Sequence, residues 1–157
     1  MTFPDGLPYM RQVSSSLYTR DILRLATAIP HLGLPESAGV RVERRSAVCG
    51  SRVAVDVLFD ADGRVARFGQ ELQACALGQA SAALLGAEVV GRTGEEIEAA
   101  RQALADYVTG VREDTGMWPG LHVFAAARAY PARHAAILLP FEAAAEAAAR
   151  AVRSEAA

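Results

Sequence analysis

Residues 40–68 read VRVERRSAVCGSRVAVDVLFDADGRVARF, and this stretch decides the fold. Val40, Val42, Arg44, Ser46 and Val48 alternate with Arg41, Glu43, Arg45 and Ala47. Alternation of this kind predicts a strand with one buried face. A second alternating run follows, Val53, Val55, Val57 and Phe59 around Asp56 and Leu58. A third begins at Val65 and Phe68 and leads towards Leu72. The first two runs meet at Cys49-Gly50-Ser51, and the second and third at Asp60-Ala61-Asp62-Gly63, a strong hairpin signal with Gly63 as the turn glycine. Short connections between successive strands predict an antiparallel meander.

Outward from the meander the period changes. Downstream, Ala76 to Leu85 is a small-residue helical run containing Gly78, Ala80, Ser81 and Ala82, suited to close packing on a sheet. Thr93 and Glu96 form a capping-box pattern ahead of Ile97, Arg101, Leu104 and Val108, and Gly110 closes that helix. A loop holding Gly116, Trp118, Pro119 and Gly120 leads into another helical run, Leu121 to Ala129. Pro131 is placed to open a last helix through Leu138, Phe141, Ala144 and Ala148. Upstream, Ser16 is placed to cap a short helix from Tyr18 through Ile22 and Leu25 to about Ile29, stopped near Pro30, and His31 to Gly39 reads as loop. The expected class is α+β, a three-stranded antiparallel meander sheet packed by about four to five helices. Residues 1–15 read as a flexible arm and residues 16–154 as a single domain.

Composition narrows the function. At 157 residues the chain is long enough for a substantial core, and with 22% charged residues it is not of disordered type. A net charge of −2 argues against a general nucleic-acid binder, which needs a basic excess to meet phosphates. Every basic residue is arginine, a pattern that composition bias explains without any functional role. The first twelve residues contain no apolar core of a signal peptide or membrane span, so the expectation is a cytoplasmic chain with no membrane partner. In that compartment the two cysteines, Cys49 and Cys75, read as free thiols or metal ligands rather than a bridge.

Connectivity makes those cysteines a pair. Strand one runs to the turn at Cys49, strand two runs away from it, and strand three returns and ends near Cys75. With neighbouring strands about 4.8 Å apart, the thiols are expected within roughly 10 Å of each other. Cys75 also stands where a helix should begin, and the field of a helix N-terminus favours thiolate. The alternative is two partly buried thiols that merely pack. His134 is a competent ligand type on the last helix, or else a polar helix-end residue, while His31 and His122 have no motif context. Asp60 and Asp62, at the far end of the hairpin, read as turn residues. Phosphate-binding loops, dinucleotide fingerprints, paired catalytic carboxylates and serine triads are all missing from the sequence, so an enzyme is not expected.

Four segments in order resemble the NifU-like, IscU/SufU-type iron–sulfur cluster scaffold proteins. LYTRDILRLA (17–26) is similar to their N-terminal helix, and CGSRVAVDVLFDADGRVARF (49–68) to their C-G-D motif and hairpin. ACALGQASAALL (74–85) is similar to their G-C-A-x-S-x-A-S helix start, and YPARHAAILLPFEA (130–143) to the segment bearing their third cysteine. The resemblance covers nearly the whole chain after residue 16 and implies an IscU/SufE-like fold. It implies a scaffold or carrier for a [2Fe–2S]-type cluster or iron, receiving sulfur from a cysteine desulfurase and passing cluster to client or carrier proteins. It carries Cys49 and Cys75 over as cluster, metal or persulfide sites.

This sequence also departs from the family pattern. Ser51 stands at the aspartate position, Ala136 at the third cysteine, and Ala74 at the glycine before the second. Ser51 and His134 are the remaining candidates for accessory metal ligands; His134 lies two residues from Ala136, about 200° around a helix. Two rival readings stay open: a degenerate module that docks on a desulfurase or another assembly partner without holding a cluster, and a zinc site built from the same thiolates, His134 and water. Two thiols per chain also suggest a homodimer as the unit that holds a cluster.

Overall fold

The computed structural model describes residues 17–36 and 39–156. A short helix α1 (Arg20–Ala26) precedes strands β1 (Val40–Arg45), β2 (Arg52–Phe59) and β3 (Val65–Gln73). Helices α2 (Ala76–Glu88) and α3 (Gly94–Val108) follow, then a 3-10 segment (Leu121–Ala129), a 3-10 turn (Pro131–Arg133) and a long helix α4 (His134–Ala156). The sheet order is β1-β2-β3, antiparallel throughout, as the alternation predicts. Val42 pairs with Val55, and Val55 with Gln70, so Val53, Val55 and Val57 share one face. Helix α4 lies across β1 and β2 and packs against α2 and α3. Ile137, Phe141 and Ala144 are fully buried in the same core as Val42, Val55, Leu85 and Leu104. Trp118 closes that core edge-on to Phe141, with ring centroids 5.4 Å apart, and donates its indole N–H to the Leu84 carbonyl at 2.9 Å.

The opposite face of β2 is covered too. Ala54 and Asp56 are buried there, and Asp56 accepts from Gly39 N at 3.2 Å and Arg41 Nε at 3.0 Å. The chain before β1 supplies the cover. Gly33 N donates to Gln70 O and Gln70 N to His31 O, which pairs the free edge of β3. The same segment continues to Pro35, whose carbonyl accepts from Arg41. Gly69 must be glycine for this, since a Cβ there would stand 2.4 Å from the Gly33 carbonyl oxygen.

The elements differ from expectation in several details, each for a local reason. The first helix starts at Arg20, because the Thr19 hydroxyl accepts the Ile22 N–H at 3.3 Å and caps it; Ser16 lies outside the described residues, as does the expected arm. Strand β1 ends at Arg45, where Ser46 turns the chain by accepting from Gly50 N, and Val48 is left 74% exposed. The Leu121–Ala129 run winds as 3-10 helix, and Pro131 opens a 3-10 turn ahead of the α-helix proper. Helix α4 continues through Pro140, which has no N–H to offer the carbonyl of Ala136 one turn earlier.

Candidate functional site

Register places the two cysteines. Arg45 pairs with Arg52, and Arg52 with Gln73, so the Ser46–Ser51 connection and the chain just past β3 emerge from one end of the sheet. Cys49 is carried by the first and Cys75 by the second. The connection is held by Ser46 N to Ser51 O and Gly50 N to Ser46 O, both 2.9 Å, with Gly50 at φ +72°. Left-handed backbone of that kind suits glycine. Cys49 is exposed at the tip. Its backbone N–H donates to Ser46 Oγ at 3.4 Å and its Sγ to Ser51 Oγ at 3.1 Å. Burial raises the Cys49 thiol pKa, but hydrogen bonds from the Ser46 and Ser51 side chains and from backbone N–H groups outweigh it and hold the thiol below its ordinary value. Ser51 is buried, with its hydroxyl committed to Cys49.

Cys75 is the N-cap residue of α2, extended at φ −67° and ψ 171°, with its carbonyl accepting from Gln79 N. Its thiol makes no capping bond and is half-buried against the edge of the core. Ala136 sits beside the helix that Cys75 opens. A Cβ on Gly78 would stand 3.2 Å from the Ala136 carbonyl oxygen, and Ser81 Oγ donates to Ile137 O at 2.6 Å. These two contacts clamp the start of α4 onto the first turns of α2. Ala136 itself is buried and contributes only a methyl group.

The remaining candidates are engaged with other groups or stand exposed. His134 Nε2 is bonded to the Ala127 carbonyl at 2.9 Å, which ties the ring to the 3-10 segment. His31 is exposed and meets the Phe68 ring edge-on at 6.2 Å, and His122 is exposed. Asp60 Oδ1 accepts from Asp62 N and Arg64 N in the turn at the opposite end of the sheet. The charges nearest the cysteine end are mutually satisfied, Arg45 and Arg52 both pairing with Glu43. Among the described residues no three His, Cys, Asp or Glu side chains gather as a metal cage. The residue that sequence reasoning missed is Ser46. Its signal was the Ser-x-x-Cys spacing, in which a serine hydroxyl reaches the backbone N–H three residues on.

Fold and site together define a small α+β protein that presents two thiols at one open end of its sheet, one on a turn and one at a helix start. Solved structures share this architecture. The N-terminal NifU-like protein of Brucella abortus is 31% identical, with a TM-score of 0.78 over 91% of this chain and 99% of that one. A protein of Fervidobacterium islandicum AW-1, assigned as an iron–sulfur cluster assembly scaffold for the SUF system, is 24% identical, with a TM-score of 0.77 over 83% of this chain and 96% of that one. No family model matches the sequence, and no curated protein does. The chain belongs to the NifU-like family, the IscU/SufU-type scaffold fold.

Proposed function

We propose that this protein is a scaffold or carrier in iron–sulfur cluster assembly, holding iron, cluster or persulfide sulfur on the thiolates of Cys49 and Cys75. The observation that carries the reading is the convergence of both thiols on one end of the sheet through the β1-β2-β3 register. Thiolates are the ligands iron–sulfur clusters use, so the donor chemistry fits. The donor count fits only in part, since a [2Fe–2S] unit takes four protein ligands and one chain offers two thiols. Two chains meeting at the cysteine end supply four. The cargo would arrive from a cysteine desulfurase and an iron source and leave to client proteins, with no chemistry of the protein's own beyond ligation and sulfur acceptance.

Anaerobic reconstitution with iron and sulfide tests this, followed by size-exclusion chromatography with iron detection on wild type, Cys49→Ser and Cys75→Ser. The expected result is iron eluting with a dimer and lost in either variant. Iron held at full occupancy by a monomer and indifferent to both substitutions sinks the proposal. A second reading is favoured by the buried methyl of Ala136: a docking module that engages a desulfurase without cargo. It predicts desulfurase binding with no iron on any species. Zinc on the same two thiolates is the third outcome, read by metal analysis; the His134 Nε2 bond to Ala127 would have to break for that ring nitrogen to join it.

A further inference from the structure

A groove of about 780 Å³ runs between the first half of α3 and the second half of α4. Ala99 lines it from α3, and Ala145, Ala148 and Ala149 from α4. Gly94 lets the two helices close on each other below it, since a Cβ there would stand 3.0 Å from the Ala148 Cβ. On α4 the lining residues Ala145, Ala148, Ala149 and Val152 recur at one-helix-face spacing, and Val152 is 64% exposed. The charge of the rim is one-sided. Glu95 and Glu98 line it from α3 and Asp62 from the hairpin tip, while no arginine lines it in a chain with 16 basic residues. Glu98 is neutralised by Arg101 at 2.9 Å, but the carboxylates of Asp62 and Glu95 have no side-chain partner among the described residues.

We propose that this groove is a docking site for a basic amphipathic helix of a partner protein. A floor of alanines between two helices admits a third helix at close range, with its apolar i, i+3, i+4, i+7 residues on the floor. The unpaired carboxylates then face arginine or lysine on the flank of the incoming helix. A second copy of this chain is the poorer occupant, because it would bring one acidic rim against another. The site is independent of the proposed cargo. Asp62 and Gly63 stand at the opposite end of the hairpin from Cys49 and Cys75, and the eight residues of β2 between them span about 26 Å. A partner can stay docked while the thiol end is loaded or emptied.

The test uses the full chain and a fluorescein-labelled peptide of about five helical turns, with a leucine/alanine stripe and lysine flanks. A twin peptide carries glutamate in place of lysine. Binding is read by fluorescence anisotropy on wild type, Ala149→Arg, Glu95→Gln and the distant exposed control Val111→Arg. The expected result is saturable binding of the lysine peptide, weakened about fivefold or more by Ala149→Arg and about twofold by Glu95→Gln, unchanged in the control, and about tenfold weaker for the glutamate twin. Equal binding of both peptides, indifference to both groove variants, or no saturable binding of the lysine peptide overturns the proposal. So does a concentration-dependent dimer in sedimentation that Ala149→Arg abolishes, which would assign the groove to a second copy. Iron reconstitution is not read in this experiment, so its outcome and that of the cluster reading are separable.

Discussion

Cys49 owes its character to two serines. Ser46 holds the turn that exposes it, and Ser51 shares a hydrogen bond with its sulfur. A hydroxyl that accepts from the thiol turns and donates to the thiolate, so the pair favours ionisation. The shift is downward, which places the rise of thiolate with pH lower than for an ordinary cysteine. Ser51→Ala and Ser46→Ala should therefore move the rising limb of the Cys49 alkylation profile to higher pH and slow iodoacetamide reaction near neutral pH by about two- to fivefold. Mass spectrometry of each alkylated cysteine, with Cys75 as internal reference, checks this; an unmoved profile removes the serines from the site. Ser51 thus acts through the sulfur of Cys49. Asp56, by contrast, is a buried structural acid, accepting from the Gly39 N–H and from Arg41.

At the scale of elements, helix starts do most of the positioning. Helix α3 begins in a full capping box: the Thr93 hydroxyl accepts from Glu96 N at 3.1 Å and the Glu96 carboxylate accepts from Thr93 N at 3.0 Å. The Thr93 backbone N–H is the main cause of the lowered Glu96 pKa, with the Thr93 hydroxyl and Arg92 adding to it against slight burial. A depressed carboxylate contributes stability that is present above its unfolded pKa and is lost as pH falls through the lower folded value. Thr93→Ala should cost about 1 kcal/mol in urea denaturation near neutral pH, and Glu96→Gln, which removes the ionised group, should differ from wild type near neutral pH by an amount that shrinks as pH falls below the ordinary glutamate range. A constant difference down to the acid transition contradicts the assignment. Helix α2 begins differently, with Cys75 in the capping position and its side chain unused for capping. The first turn of α2 thus depends on packing, with Gly78 allowing α4 to approach at Ala136.

The whole molecule sets what the cysteine end can hold. Position 136 comes from residues more than fifty places beyond Cys75, yet the Ser81–Ile137 bond and the Gly78 contact put it beside the first turn of α2. A thiol placed there should complete a three-thiolate set within one chain. Ala136→Cys is therefore expected to move reconstituted iron from the dimer peak to the monomer peak in size-exclusion chromatography. Because Ala136 is buried, circular dichroism of the variant must first match wild type. A folded Ala136→Cys protein whose iron stays with the dimer, or that holds none, would show that this end of the sheet does not close around a metal within one chain. Among the described residues no helix is long and apolar enough to cross a membrane.

By itself the sequence determined the meander, because period-two alternation with short polar turns leaves a strand few other ways to bury its valines. It also determined which end of the sheet carries Cys49 and Cys75, since meander connectivity sends odd connections to one end and even ones to the other. The capping box at Thr93 was equally legible, being a local pattern. Only the tertiary structure decided the rest. It ended β1 at Arg45, because the serine turn outcompetes a strand that has no further partner on β2. It buried Asp56, because the segment before β1 folds back over the outer face. It tied His134 to Ala127, because side-chain direction at a helix start depends on the segment that packs there. The α3–α4 groove was invisible in the sequence for the same reason: its lining residues are some fifty positions apart, and only their packing makes them one surface.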